Sequence, residues 1–270
     1  MLDTSPFLVT PGVPLDLSLH DPDSKLGFDG GKADGRAALP ELNSKLSGLQ
    51  RRLWAESRQS LLIVLQAMDT GGKDGTIRHV FTGVNPQGVH VHSFGVPTEW
   101  EVRHDYLWRV HRRTPEDGAI TIFNRSHYED VLVVRVRGFA PEERWSKRYE
   151  HIRAFEAMLA DEGTTVVKLF LNISKEEQQE RLQSRLDEPD KNWKFRKGDL
   201  DDRALWDDYQ AAYTDALAET STDHAPWYVV PANRKWYRNL VVSSILIKTL
   251  EKMDPRYPEP EEGLDAVVIG

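Results

Sequence analysis

The chain has 270 residues, a net charge of −8, 39% hydrophobic and 29% charged residues, and no cysteine. That length suits one large α/β domain, and the composition is that of a folded globular protein. Disulfides, thiolate catalysis and cysteine metal sites are excluded, so any metal must be held by oxygen or imidazole. No apolar run approaches the roughly 20 residues of a membrane span, no signal-peptide pattern opens the chain, and the acidic balance argues against coating nucleic acid. A cytoplasmic setting is expected.

Residues 1–35 carry Pro6, Pro11, Pro14, Pro22 and the stretch FDGGKADG, which reads as an extended, flexible arm. From Pro40, the spacing of Leu42, Leu46, Leu49 and Leu53 predicts a helix with one apolar stripe, ending near Arg58. Leu61 to Leu65 form a continuous apolar run, the pattern of a strand buried on both faces. Further strands are expected at 89–94, 119–123, 165–172 and 227–230. His90 and His92 alternate on one of them and are expected as ordinary strand residues.

Between the strands, Thr98 with Glu101 and Ser174 with Glu177 make capping boxes. The first is expected to open a helix running through Trp108 to Arg113, with Trp100, Tyr106 and Trp108 packed in the core. Other helices are expected through Tyr128, Val131, Leu132 and Arg135, over 140–162, from Ala204 to Ala218 and from Lys235 to Met253. An acidic tail, 254–270, follows. Strands alternating with helices give a parallel sheet covered on both faces, with ligands at the strands' carboxyl ends.

Three segments sit at those ends. The first, MDTGGKDG, follows the Leu61–Leu65 run and opens a helix. Gly71, Gly72 and Gly75 allow backbone N–H groups to turn toward an anion, the helix N-terminus adds partial positive charge, and Lys73 reaches outer phosphates. The spacing matches a GxxxxGK[ST] phosphate loop, but Ala67 replaces the first glycine and Asp74 the hydroxyl residue. A plain helix cap is disfavoured, because a lysine there opposes the helix dipole. Asp69 is placed to ligate a metal or orient an attacking phosphate oxygen. Asp74 is either a second carboxylate of the site or a first-turn helix acid.

The second segment, Asn124-Arg125-Ser126, ends a buried strand where many phosphate-loop proteins hold metal through Asp. Arg125 suits a bidentate phosphate clamp, or else an ion pair with Glu129 or Asp130. The third, 185–205, interleaves Arg185, Lys191, Lys194, Arg196, Lys197 and Arg203 with Trp193 and Phe195. It reads as a mobile lid over phosphates, against a single-stranded nucleic-acid surface or a solvated loop.

Together AMDTGGKDGTIRHV, FNRSHYEDVLVVRV, KNWKFRKGDLDDRALWDDY and APWYVVPANRKWYR resemble the polyphosphate kinase 2 family, from about Leu49 to Met253. The resemblance implies a three-layer α/β/α P-loop kinase fold, thymidylate kinase-like, with a five-stranded parallel sheet and a helical lid, in one domain spanning 1–270. It implies phosphoryl transfer from inorganic polyphosphate to AMP and ADP, with guanine nucleotides and reversal as extensions, and Mg²⁺ (Mn²⁺ as substitute) as cofactor. Asp69, Lys73 and Arg125 are then the catalytic residues, with Asp69 toward the metal. Gly71, Gly72, Lys73, Asp74, Gly75, Arg135, Arg185, Lys191, Lys194 and Arg203 are expected on phosphate. Asn124, Arg125, Tyr128, Glu129 and Asp199 are expected on the nucleotide.

Asn124 replaces the Asp of many members and Glu129 their Asn, which resembles the class III branch accepting both AMP and ADP. Losing a carboxylate at 124 is expected to relax discrimination between acceptors. The partners implied are polyphosphate and purine nucleotides in a homo-oligomer, dimer or tetramer, with no nucleic acid and no membrane. The rivals are an ATP-dependent nucleoside monophosphate kinase and a non-catalytic phosphate or nucleic-acid binder.

Overall fold

The computed structural model describes residues 1–269; the last residue of the acidic tail, Gly270, lies outside them. Five parallel strands form one sheet: β1 Ser60–Gln66, β2 Val89–Ser93, β3 Ile120–Asn124, β4 Thr164–Asn172 and β5 Trp227–Pro231, in the order β2-β3-β1-β4-β5. The helices are α1 Lys32–Glu56, α2 Lys73–Val80, α3 Glu99–Val102, α4 Trp108–His111, α5 Val133–Val136, α6 Glu142–Trp145, α7 Arg148–Asp161, α8 Lys175–Asp187, α9 Gly198–Ala204, α10 Trp206–Thr220 and α11 Lys235–Met253.

The strand expectations hold to within a residue or two because continuous apolar runs leave little freedom. Every residue of β1 is buried, as a central parallel strand with both faces covered requires. β2 is an edge and is half exposed. β5 is the other edge and ends in Pro231, where the missing N–H costs no ladder bond. Leu65 of β1 pairs with Asn124 of β3, and Gln66 with Phe170 of β4, so the β1 and β3 carboxyl ends lie side by side where the connections diverge. Ligand crevices form at such points.

Several helical expectations need correction. The amino-terminal arm is not a loose leader. Leu2, Phe7, Val9 and Leu17 are buried in the main core, and Leu8 bridges antiparallel to Tyr228 while the Val9 N–H donates to the Trp227 carbonyl at 2.9 Å. The arm thereby covers the β5 edge. Helix α1 begins at Lys32, not Pro40. Asp34 accepts from the Gly31 N–H at 2.8 Å and caps the start, leaving Pro40 inside.

The Thr98–Glu101 capping box forms, yet the helix it opens ends at Val102. Asp105 then accepts from the Leu107 and Trp108 N–H groups at 2.9 and 3.0 Å, which starts α4 afresh. Trp100 is 57% exposed rather than core; His104 stacks on Trp108 at 4.0 Å. The helix expected through Tyr128 to Arg135 is a 3₁₀ turn, His127–Asp130, followed by α5. The 140–162 helix is split into α6 and α7. At α8 only half of the second box forms: Ser174 accepts from Glu177 N–H at 3.1 Å, while the Glu177 carboxylate pairs with Arg181. The lid is helical, as expected: it holds a 3₁₀ turn, Pro189–Lys194, and α9. No helix among the described residues is long and apolar enough to cross a membrane.

Candidate active site

The loop between β1 and α2 turns twice. The Gly71 N–H donates to the Met68 carbonyl at 3.0 Å, and Gly72 adopts φ +97°, a conformation that favours glycine. A side chain on Gly71 would strike the Ala67 methyl. Ala67 and Gly71 have therefore divided the space differently from the GxxxxGK pattern. Thr70, at φ +63°, is held in the left-handed region by Arg181, whose Nη1 donates to the Thr70 carbonyl at 2.9 Å.

Lys73 folds back over this loop and donates from Nζ to the Ala67 carbonyl at 3.1 Å. Burial first, and then the charge of Arg125, push its ammonium down to about 8, partly offset by Asp69, Glu129 and Asp74. Opposite it, Arg125 stands on the tip of β3 at φ +60° and donates from Nη2 to Asp69 Oδ1 at 2.7 Å. Glu129 lies 3.7 Å from its other terminal nitrogen. Burial opposes the Arg125 charge, but Glu129 and Asp69 outweigh it and hold its pKa above the ordinary value. Of the ion pairs expected for Arg125, the one with Glu129 is present, Asp69 adds a second, and Asp130 pairs with Arg148 instead.

Glu129 is the buried carboxylate of the group. Burial raises its pKa against the lowering effects of Arg125, Lys73 and Gln66. Asp199, on lid helix α9, is raised by burial and by repulsion from Asp69, and Arg185 holds it at 3.1 Å. The lid carboxylate thus feels the charge of Asp69, which Arg125 holds. Asp74 is exposed at the start of α2, and Asn124 Nδ2 donates to its Oδ1 at 2.7 Å. The amide is therefore committed to Asp74.

Other expected residues are engaged by partners within the protein. Tyr128 is fully buried; its hydroxyl bonds Glu156 and Thr220 at 2.9 Å, and Lys168 donates to it at the same distance. It is a core residue behind the Arg125 turn and has no surface for a nucleotide. Arg135 is held by Asp215 at 2.7 Å and lies over the Trp145 ring. Arg203 donates to the Lys175 carbonyl and to Gln178, fastening the lid to α8. Lys191 pairs with Glu188, and Lys194 lies over the Trp193 ring.

The structure also brings in residues that sequence reasoning missed. Arg181 and Arg238 flank the glycine loop. Arg137 grips Asp202 of α9 with two hydrogen bonds of 3.0 and 2.7 Å. Tyr213 of α10 is buried close to Glu129, Arg125 and Asp69, and burial holds its hydroxyl well above the usual range. Arg238 ends the APWYVVPANRKWYR motif and Arg181 lies in none of the motifs, and no spacing rule ties either helix to the loop.

Among the described residues, no three carboxylates or histidines converge into a metal cage. The donors present are hard oxygens, with the Asp69 carboxylate only partly occupied by Arg125. That donor set fits Mg²⁺, which keeps waters and substrate phosphates and takes one or two protein carboxylates.

Residues 30–258 match the family model described as Polyphosphate kinase 2 (PPK2). An AMP/ADP-polyphosphate phosphotransferase of Meiothermus ruber is 59% identical over 263 residues, covering 97% of this chain and 98% of that protein. An ADP-polyphosphate phosphotransferase of Rhodopseudomonas palustris is 47% identical, covering 80% and 78%. The crystal structure of Polyphosphate Kinase 2 from Arthrobacter aurescens TC1 superposes with a TM-score of 0.93 at 45% identity, covering 96% of this chain and 93% of that one. With its five-stranded parallel sheet, its glycine loop and Lys73 in place, the chain has the P-loop kinase fold and belongs to the polyphosphate kinase 2 family.

Proposed function

We propose that the protein transfers phosphoryl groups from inorganic polyphosphate to AMP and ADP. The observation that carries this reading is the Asp69–Arg125–Glu129 chain facing Lys73 across the glycine loop. Two cations, Lys73 and Arg125, and two carboxylates, Asp69 and Glu129, share one crevice, enough to hold a highly charged donor and an incoming phosphate in line. The relatives' names give the donor and acceptor classes.

The donor's terminal phosphate lies in the glycine loop, with Lys73 on its outer oxygens. The acceptor's terminal phosphate oxygen attacks the donor's terminal phosphorus from the Arg125 side, the bridging P–O bond to the next phosphate breaks, and the polyphosphate leaves one phosphate shorter. The attacking oxygen is already ionised, so no base is needed; Asp69 orients Arg125 rather than taking a proton. Lys73 and Arg125 then hold the negative charge that spreads over the transferred group. Lid residues Arg185 and Asp199 close the crevice and exclude water. Mg²⁺ would be held by Asp69 with phosphate oxygens, and when bound it neutralises charge on the transferred phosphoryl group.

Purified protein with Mg²⁺, polyphosphate and AMP is expected to yield ADP and then ATP, and with ADP to yield ATP. AMP phosphorylation from ATP with no response to polyphosphate would replace this reading by that of an ordinary nucleoside monophosphate kinase. GMP and GDP run alongside define base preference, and size-exclusion chromatography with light scattering tests the homo-oligomer.

A further inference from the structure

Arg238 is 2% exposed, and its guanidinium bonds only to the side chain of its neighbour: Nε and Nη2 both donate to Asn239 Oδ1, at 3.2 and 2.8 Å. No carboxylate pairs with it among the described residues, and Nη1 has no acceptor there. Its surroundings make the charge worse. It lies in the first turn of α11, where the helix dipole disfavours a cation, and Arg181 is a close second guanidinium. Burial and Arg181 push its pKa down to about 9, so it keeps its proton at neutral pH.

Arg181 has no such vacancy. Glu177 pairs with it at 2.7 Å, and its terminal nitrogens are used on the Thr70, Ala232 and Asn233 carbonyls. It fixes the loop. Arg238 fixes nothing comparable, yet the loop is shaped around it. A side chain on Gly72 would collide with Arg238 Nη1, and one on Gly75 would lie 3.5 Å from Nη2. The glycines that open the cradle also admit this guanidinium to its wall.

A buried, unpaired charge is strongly unfavourable unless something neutralises it. We infer that Arg238 is a positioning cation of the donor subsite, whose counter-charge is the phosphate chain seated in the glycine loop. It acts from the loop wall beside Gly72 and Gly75, attracting the chain. The inference rests on the reading that the donor occupies this loop.

The test uses Arg238→Met, Arg238→Gln and Arg238→Lys in the full-length protein, with linear tripolyphosphate in excess Mg²⁺ as probe. The neutral variants are expected to melt at or above the wild-type temperature without ligand, since an uncompensated charge has gone. They are also expected to bind tripolyphosphate at least tenfold more weakly, and to gain correspondingly less thermal stability from it. KM for AMP and ADP should stay within twofold, and Arg238→Lys should recover part of the donor affinity. A folded neutral variant with wild-type donor affinity overturns the inference. So does loss of the fold in both neutral variants, which would make Arg238 a packing residue. Wild-type protein that fails to bind tripolyphosphate would instead remove the donor assignment of the loop itself.

Discussion

Lys73 carries opposing influences on its charge, and the balance is testable. Burial and Arg125 lower its pKa to about 8 in the free protein, while a bound phosphate chain favours its protonated form. Donor binding is therefore fully supported below about 8 and weakens as the pH rises through it. The Kd for tripolyphosphate, measured from pH 6.5 to 10, is expected to rise above that point by up to tenfold per unit. In Lys73→Arg, whose guanidinium keeps its proton, the rise in Kd between about 8 and 9 should vanish, leaving only the loss above about 9, where Arg238 titrates. An unchanged limb in that variant would mean another group titrates. Asn124 shows how a neutral side chain takes on meaning from its partner. Its amide donates to Asp74, so Asn124→Asp sets two carboxylates about 3 Å apart. The variant is expected to lose on the order of tenfold in kcat/KM, and Asp74→Asn added to it should restore most of that. Additive losses in the double variant would show that the two residues act separately. The sequence suggests that the missing charge at 124 relaxes acceptor choice; the structure supplies a nearer reason for the amide. Arg181 and Arg238 could not be read in advance, because their importance depends on α8 and α11 folding against one loop. Lys73, Asp69 and Arg125 could, because loop spacing and strand ends place them.

At the scale of elements, the strands were legible and the helix breaks were not. Leu61–Leu65 and Thr165–Leu171 are runs that only a doubly covered sheet can bury. Asp105 ending one helical turn and starting another looks, in sequence, like any charged helical residue. The arm's prolines suggest a loose leader, whereas Leu2, Phe7 and Val9 anchor it in the core. Lys168 in the middle of β4 is a different case. It is fully buried and bonds the Glu156 carboxylate at 2.5 Å, with Tyr128, Thr220 and His127 completing the cluster. This cluster backs the 3₁₀ turn that presents Arg125. Glu156→Gln is expected to cost about 3–5 kcal/mol, because it strands a buried ammonium. Replacing both partners with leucine and methionine should recover much of that loss in a thermal melt, whereas equal damage from single and double variants would point to packing instead. The lid is tied at a second place. Arg137 and Tyr209 both bond Asp202 of α9. Asp202→Asn is expected to speed tryptic cleavage within residues 185–205 several-fold, with polyphosphate slowing it again; cleavage at the wild-type rate would show that the tie does not hold the lid.

Across the whole molecule, the charge distribution constrains how much of a polyanion the protein can engage. The chain carries −8 overall, yet Lys73, Arg125, Arg181, Arg185 and Arg238 gather around one crevice. Outside that crevice the net negative charge opposes a polyanion, except at the exposed Arg103, Arg112 and Arg113 and at Arg196 and Lys197 of the lid. Salt dependence reads this directly, because each cation engaged on a polyanion adds to the slope of log Kd against log salt. For a groove that tracks the chain, the slope grows with chain length. For a confined site, it levels off once the chain fills the crevice. The slope is expected to rise from pyrophosphate to tripolyphosphate and then change little between hexaphosphate and chains of several tens of phosphates, measured by calorimetry between about 50 and 300 mM salt. A slope still climbing at the longest chains would place further contacts outside the crevice, and the basic 103–113 segment beside Trp100 and Trp108 would be the first surface to examine.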